Sequence, residues 1–113
     1  MESKRQQRIS KLIMHDLGEI FQLEVPHLTP NVMVSVTKVY VTNDLALAKV
    51  YISIFPPNNK EQILDGINKA SREVRGLLGK RIHNQVRAIP ELRFYIDDSL
   101  DYIEKIDELL KND

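Results

Sequence analysis

The side chains in this sequence able to do chemistry are three histidines, an acidic trio near residue 100 and two clusters of lysine and arginine. The histidines offer little. His15 and His83 fall in helical stretches and His27 sits beside Pro26, and none has the i, i+4 partner and nearby acid of a metalloprotease helix. They read as structural or surface residues. Asp97, Asp98 and Asp101 could hold a magnesium ion through carboxylate oxygens. Their place at the start of a helix gives them a simpler use, since carboxylates in a first turn accept backbone N–H groups and suit the helix dipole. The chain has no cysteine, which removes thiol nucleophiles, thiolate zinc sites and disulfides. It also lacks a Walker pattern and a G-x-G-x-x-G cradle. The expectation is a protein with no active site, no metal and no cofactor.

The cations carry more information. Arg72, Arg75, Lys80, Arg81 and Arg87 share a helical stretch with an apolar stripe but avoid its positions, so they are expected to project outward. Lys4, Arg5 and Arg8 do the same at the start of the first helix. The formal charge of zero hides segregation: residues 1–11 hold four basic and one acidic residue, 12–68 three and six, 69–93 seven and two, and 94–113 two and seven. A polyanion feels a local field over roughly 8 Å at physiological salt, so two outward basic clusters on a neutral chain suit phosphate contacts. The competing reading is that these are solvated faces, and charge alone does not separate the two. Gly76-Leu77-Leu78-Gly79 spells the G-x-x-G with which KH domains clamp a nucleic-acid backbone. Its middle residues would have to reach phosphates, yet they are leucines in line with Val74 and Ile82, and we assign them to the core.

These residues need elements to position them. Ile9, Leu12, Ile13, Leu17, Ile20 and Phe21 recur at three- and four-residue steps, which predicts a helix over 4–24, stopped by Pro26. Val32, Val34 and Val36 then alternate with Met33, Ser35 and Thr37 as a strand, and the apolar parity shifts to Val39 and Val41, which a β-bulge near Thr37 and Lys38 would explain. Thr42-Asn43-Asp44-Leu45 is turn chemistry, and Ala46, Ala48, Val50, Ile52 and Ile54 mark a second strand, closing a hairpin. The stripe from Ile63 to Val86 is too long for one helix and should bend or break. Leu92, Phe94 and Ile96 predict a third strand, and Asp98 and Ser99 cap a last helix with Leu100, Ile103, Ile106 and Leu110 facing inward. The order α-β-β-α-α-β-α predicts an α+β fold, a three-stranded sheet packed on one face by helices, formed by residues 1–113 as a single domain. With 42% hydrophobic and 28% charged residues the chain is globular rather than disordered. No apolar run is long enough to cross a membrane and no secretion signal opens the chain, so a cytoplasmic protein without membrane contact is expected.

The hairpin Val34 to Phe55, VSVTKVYVTNDLALAKVYISIF, resembles the ribosome-binding factor A family, whose members place an N/R-D-L-x-x-A-K-V-type run at the turn into the second strand. The resemblance continues through Leu78-Gly79-Lys80 to Ile89-Pro90-Glu91-Leu92, Phe94, Asp97 and Ser99. It implies a KH-like domain of type II, whose helix pair is kinked where other KH domains carry their G-x-x-G loop. The family's kink reads Ala-x-Gly, and the matching positions are Ala70, Ser71 and Arg72, so the glycine is absent and a shallower kink, or one moved toward Gly76, is expected. The resemblance further implies a non-enzymatic monomer that binds 16S rRNA on free 30S subunits, assists late rRNA processing and matters most in the cold. A ribosome-maturation GTPase is a further candidate partner. The rRNA-binding residues would be Lys4, Arg5, Arg8, Arg72, Arg75, Lys80, Arg81 and Arg87. Two rivals stand beside this reading: an interaction module docking a basic protein through the acidic stretch 98–111, and a small hydrolase using His83 and the aspartates.

Overall fold

The computed structural model describes residues 2–98. Helix α1 spans Lys4–Leu23 and begins with a capping box, in which Ser3 Oγ accepts the Gln6 N–H and Gln6 Oε1 accepts the Ser3 N–H. Its stripe Ile9, Ile13, Leu17, Ile20 and Phe21 is buried. Gln6 is buried with it, and its Nε2 donates to the Val41 carbonyl at 2.9 Å, which satisfies a polar group that would otherwise be costly in the core.

Strands β1 (Met33–Val41) and β2 (Leu47–Phe55) form the antiparallel hairpin. Its register slips between Val36 and Lys38, leaving Thr37 as the extra residue, which is why the apolar parity changes there. Helices α2 (Lys60–Lys69) and α3 (Ser71–Ile82) make the crossover to β3 (Glu91–Ile96), which runs parallel to β2 and gives the sheet order β1-β2-β3. The helices cover one face. Val39, Val41, Ala48, Val50, Ile52, Leu92 and Phe94 meet the helical residues Ile13, Leu17, Ile20, Ile67, Val74, Leu78 and Ile82 in one hydrophobic core. At its centre Phe21 and Phe94 pack edge to face with centroids 5.7 Å apart.

The long apolar stripe breaks at Ala70, which ends α2 and starts α3 with φ −97° and ψ 16°. That conformation is accessible to an L-residue, so alanine absorbs the bend, and its N–H is shared between the carbonyls of Gly66 and Ile67 at 3.1 Å each. Ser71 and Arg72 continue as helix, and Gly76 lies inside α3. The missing glycine therefore does not move the break. Leu78 is buried and Leu77 packs against the core, so the Gly76–Gly79 segment is part of helix α3 with its leucines toward the core rather than an exposed loop. The final helix expected after Asp98 lies outside the described residues.

Candidate nucleic-acid interface

Four of the eight candidate cations converge. Arg5 from the first turn of α1, Arg75 from α3 and Arg87 from the segment before β3 line one concavity of about 500 Å³, whose floor includes Ile9, Val86 and Pro90. Arg8 lines an adjoining hollow of about 230 Å³ that shares Ile9 and Val86 with the first. All four arginines are exposed. The elements that bring them together are far apart in sequence, and the core stripe anchors two of them: Ile9 is buried one residue from Arg8, and Val74 one residue from Arg75.

Arg75 is held in place from behind. Its Nε and Nη2 both donate to the Ile89 carbonyl, at 3.2 and 2.6 Å, which spends two of the five guanidinium donors and fixes the plane of the rest. The start of α1 adds a second electrostatic feature. No acid stands in its first turn, where Lys4 and Arg5 are placed instead. Cations at the positive end of a helix are each unfavourable by about 0.3–1 kcal/mol, and a bound anion relieves that repulsion.

The hairpin turn supplies the opposite wall, with Asn43, Asp44, Leu45 and Ala46. Leu45 adopts φ 61°, the left-handed region that costs a branched residue roughly 1–3 kcal/mol and persists only where the surroundings impose it. Here Leu45 N–H donates to the Thr42 carbonyl at 2.8 Å, the Thr42 hydroxyl donates to Asp44 Oδ1 at 2.7 Å, and Ala46 N–H donates to the same oxygen at 3.1 Å. The Thr42 hydroxyl, and next the Ala46 N–H, hold the Asp44 carboxyl below the usual carboxylate range. It is thus ionised at neutral pH within a basic surface.

Arg81 corrects the expectation of an outward cation. Its Nη1 donates to Glu19 Oε2 at 2.6 Å and Asp16 Oδ1 at 3.2 Å, and its Nε to Glu24 Oε2 at 3.0 Å. With a side chain 25% exposed, it clamps α3 to α1 and faces carboxylates from the neighbouring helix. The hydrogen bond from Arg81 keeps Glu19 below its ordinary pKa, and the acids push Arg81 further up, Glu19 first. Lys4, Arg72 and Lys80 are exposed but do not line the concavity. Sequence reasoning missed Asp44, Leu45 and Ile89 as parts of the site. The turn was legible in Thr42-Asn43-Asp44, but nothing local says that it faces α1.

Among the described residues no group of three or more histidine, aspartate or glutamate side chains is arranged to hold a metal ion. Asp97 accepts a hydrogen bond from the Thr37 hydroxyl, and the capping role expected for the acidic trio falls outside the described residues.

Residues 5–110 match the family profile described as Ribosome-binding factor A. The chain belongs to the ribosome-binding factor A family. A ribosome-binding factor A from Cytophaga hutchinsonii is 44% identical over 110 residues, covering 97% of this chain and 83% of that protein. The crystal structure of the Thermus thermophilus ribosome-binding factor A superposes with a TM-score of 0.65 at 25% identity, covering 80% of this chain and 94% of that one. A homology model of the Thermus thermophilus factor, fitted into a cryo-EM map of a 30S complex, shares the fold at a TM-score of 0.62 and 22% identity over 87% of this chain and 97% of that one. The α+β, KH-like architecture inferred from the sequence is the architecture of ribosome-binding factor A.

Proposed function

We propose that the chain is a non-catalytic maturation factor of the small ribosomal subunit, which binds 16S rRNA on free 30S subunits and assists late rRNA processing. The observation that carries this reading is the convergence of Arg5, Arg8, Arg75 and Arg87 from three separate segments on one hollow surface of a family member. Guanidinium groups pair with phosphate oxygens two at a time, and a hollow flanked by several of them suits a backbone that turns or a groove edge. The fitting of a family member into a map of a 30S complex supports the 30S subunit as partner.

The factor acts by holding phosphates, with affinity from counterion release rather than base reading. Arg81 contributes indirectly, by fixing α3 against α1 and so fixing the distance between the two sides of the hollow. A cytoplasmic place of action and a monomeric state belong to the same reading. No helix among the described residues is long and apolar enough to cross a membrane.

Sedimentation through a sucrose gradient tests the reading. Added to a mixture of free 30S subunits and complete 70S ribosomes, the protein should travel with the 30S peak, and the Arg5→Glu, Arg87→Glu double variant should stay at the top. Equal loading on both peaks, or a double variant that still travels with 30S, would overturn it.

A further inference from the structure

Among the described residues the helices cover one face of the sheet and leave the other without a covering element, and that second face is built unlike an ordinary solvated one. Ala48, Val50, Ile52 and Ile54 of β2 are buried under the helices, so Lys49, Tyr51, Ser53 and Phe55 stand on the other side. The register places Lys38 of β1 and Tyr95 of β3 on either side of Tyr51, and Tyr40 and Arg93 on either side of Lys49. The Tyr51 and Tyr95 rings stack with centroids 5.5 Å apart and planes at 29°, and Lys38 Nζ lies 5.9 Å from the Tyr51 centroid.

We propose that this face is a second RNA surface, which takes single-stranded RNA by stacking bases on Tyr51 and Tyr95 while Lys38, Lys49 and Arg93 meet its phosphates. Charge complementarity selects the occupant. Lys49 and Arg93 are register neighbours, and like charges side by side on a sheet are destabilising unless something anionic lies across them. Among the described residues neither they nor Lys38 form an ion pair with a carboxylate. Of the acids on the same face, Asp97 is engaged by the Thr37 hydroxyl and Glu91 stands opposite Leu47 at the far end. Cations interleaved with half-buried rings such as Tyr51 and Tyr95 are an arrangement that suits unpaired nucleotides, because every base has a π-face and only an unpaired one can offer it. Phe55, 70% exposed, extends the row of rings along β2.

This inference rests on reading the chain as an RNA binder, and its test separates the two surfaces. The chain has no tryptophan, and Tyr51 and Tyr95 are two of its four tyrosines, so base stacking on them should quench part of its tyrosine emission. Oligouridylate should quench that emission in the full-length protein. By anisotropy of a labelled oligouridylate, Tyr51→Leu with Tyr95→Leu should weaken binding about tenfold or more, as loss of base–aromatic stacking does. Tyr51→Phe with Tyr95→Phe, which keeps the rings, should bind as the parent does, and Arg93→Glu should weaken binding severalfold. All three should leave the binding of a hairpin duplex RNA unchanged, whereas Arg5→Glu with Arg87→Glu should lose the duplex and keep the oligouridylate. The proposal fails if the leucine variants bind oligouridylate normally, or if only the Arg5 and Arg87 changes affect it. It fails equally if the acidic stretch 99–113 holds the face instead, in which case the full chain does not bind oligouridylate at all.

Discussion

Asn68 and Phe94 are joined by a closed pair of hydrogen bonds: the Asn68 carboxamide donates through Nδ2 to the Phe94 carbonyl at 3.0 Å and accepts the Phe94 N–H on Oδ1 at 2.9 Å. Among the described residues strand β3 pairs with β2 on one side alone, so Phe94 presents its backbone to the sheet edge, and a side chain from α2 stands there in place of a strand. The pairing caps the edge, which would otherwise offer itself to other chains. Asn68→Ala should lower stability by about 2 kcal/mol, the worth of two hydrogen bonds at roughly 1 kcal/mol each. Urea unfolding followed by circular dichroism checks this, with the midpoint expected to fall and the slope to stay constant.

The Arg81 clamp should be a stability element rather than an RNA contact. Arg81→Met removes three solvent-screened ion pairs of individually modest worth, so the thermal midpoint should drop by roughly a few degrees. The effect should depend on pH. Glu19 has a folded pKa below its unfolded value, so its contribution is present above that unfolded value and is lost as pH falls through the lowered one. The difference in midpoint between parent and variant should therefore shrink in the acid range. A difference that persists when the carboxylates are protonated would refute the assignment.

RNA affinity should fall with salt in proportion to the arginines engaged. Four phosphate contacts give a slope of log K against log salt near −3.5, so a fourfold rise in salt should weaken 30S binding by about two decades. Arg87→Glu should reduce the slope by about one. Filter binding across a salt series provides the measurement, and a flat dependence would exclude a phosphate grip.

Asp44→Asn should tighten RNA binding. The amide oxygen can still accept from Thr42 and Ala46, so the turn is kept, while the one negative charge that lines the arginine hollow among the described residues is removed. Removing one solvent-screened like-signed charge from the anion's path predicts a gain in affinity of roughly two- to fivefold. Unchanged or weaker binding in the same filter assay would show that the hollow does not face the RNA.

Periodicity carried most of the fold. The parity change at Val39 announced the bulge at Thr37, and the overlong stripe from Ile63 announced the break at Ala70, because both signals are local consequences of which face is buried. The site was half legible. Avoiding the apolar stripe correctly placed Arg72, Arg75, Lys80 and Arg81 off the core, but it could not say which neighbours each would meet. Arg81 and Glu24 are 57 positions apart, and their pairing depends on how α3 crosses α1, which no local pattern encodes. The same holds for Gln6, whose burial against Val41 could not be foreseen from a polar residue in a basic first turn.

The hollow draws on α1, the β1–β2 turn, α3 and the segment leading into β3. During synthesis Arg5 and Arg8 emerge first, but their partners Arg75 and Arg87 are not yet made, and the last of them is set only when β3 has joined β2. The hollow is thus only half built until the fold is finished. On the proposed reading, binding competence should arrive together with native structure, and RNA affinity should report correct folding.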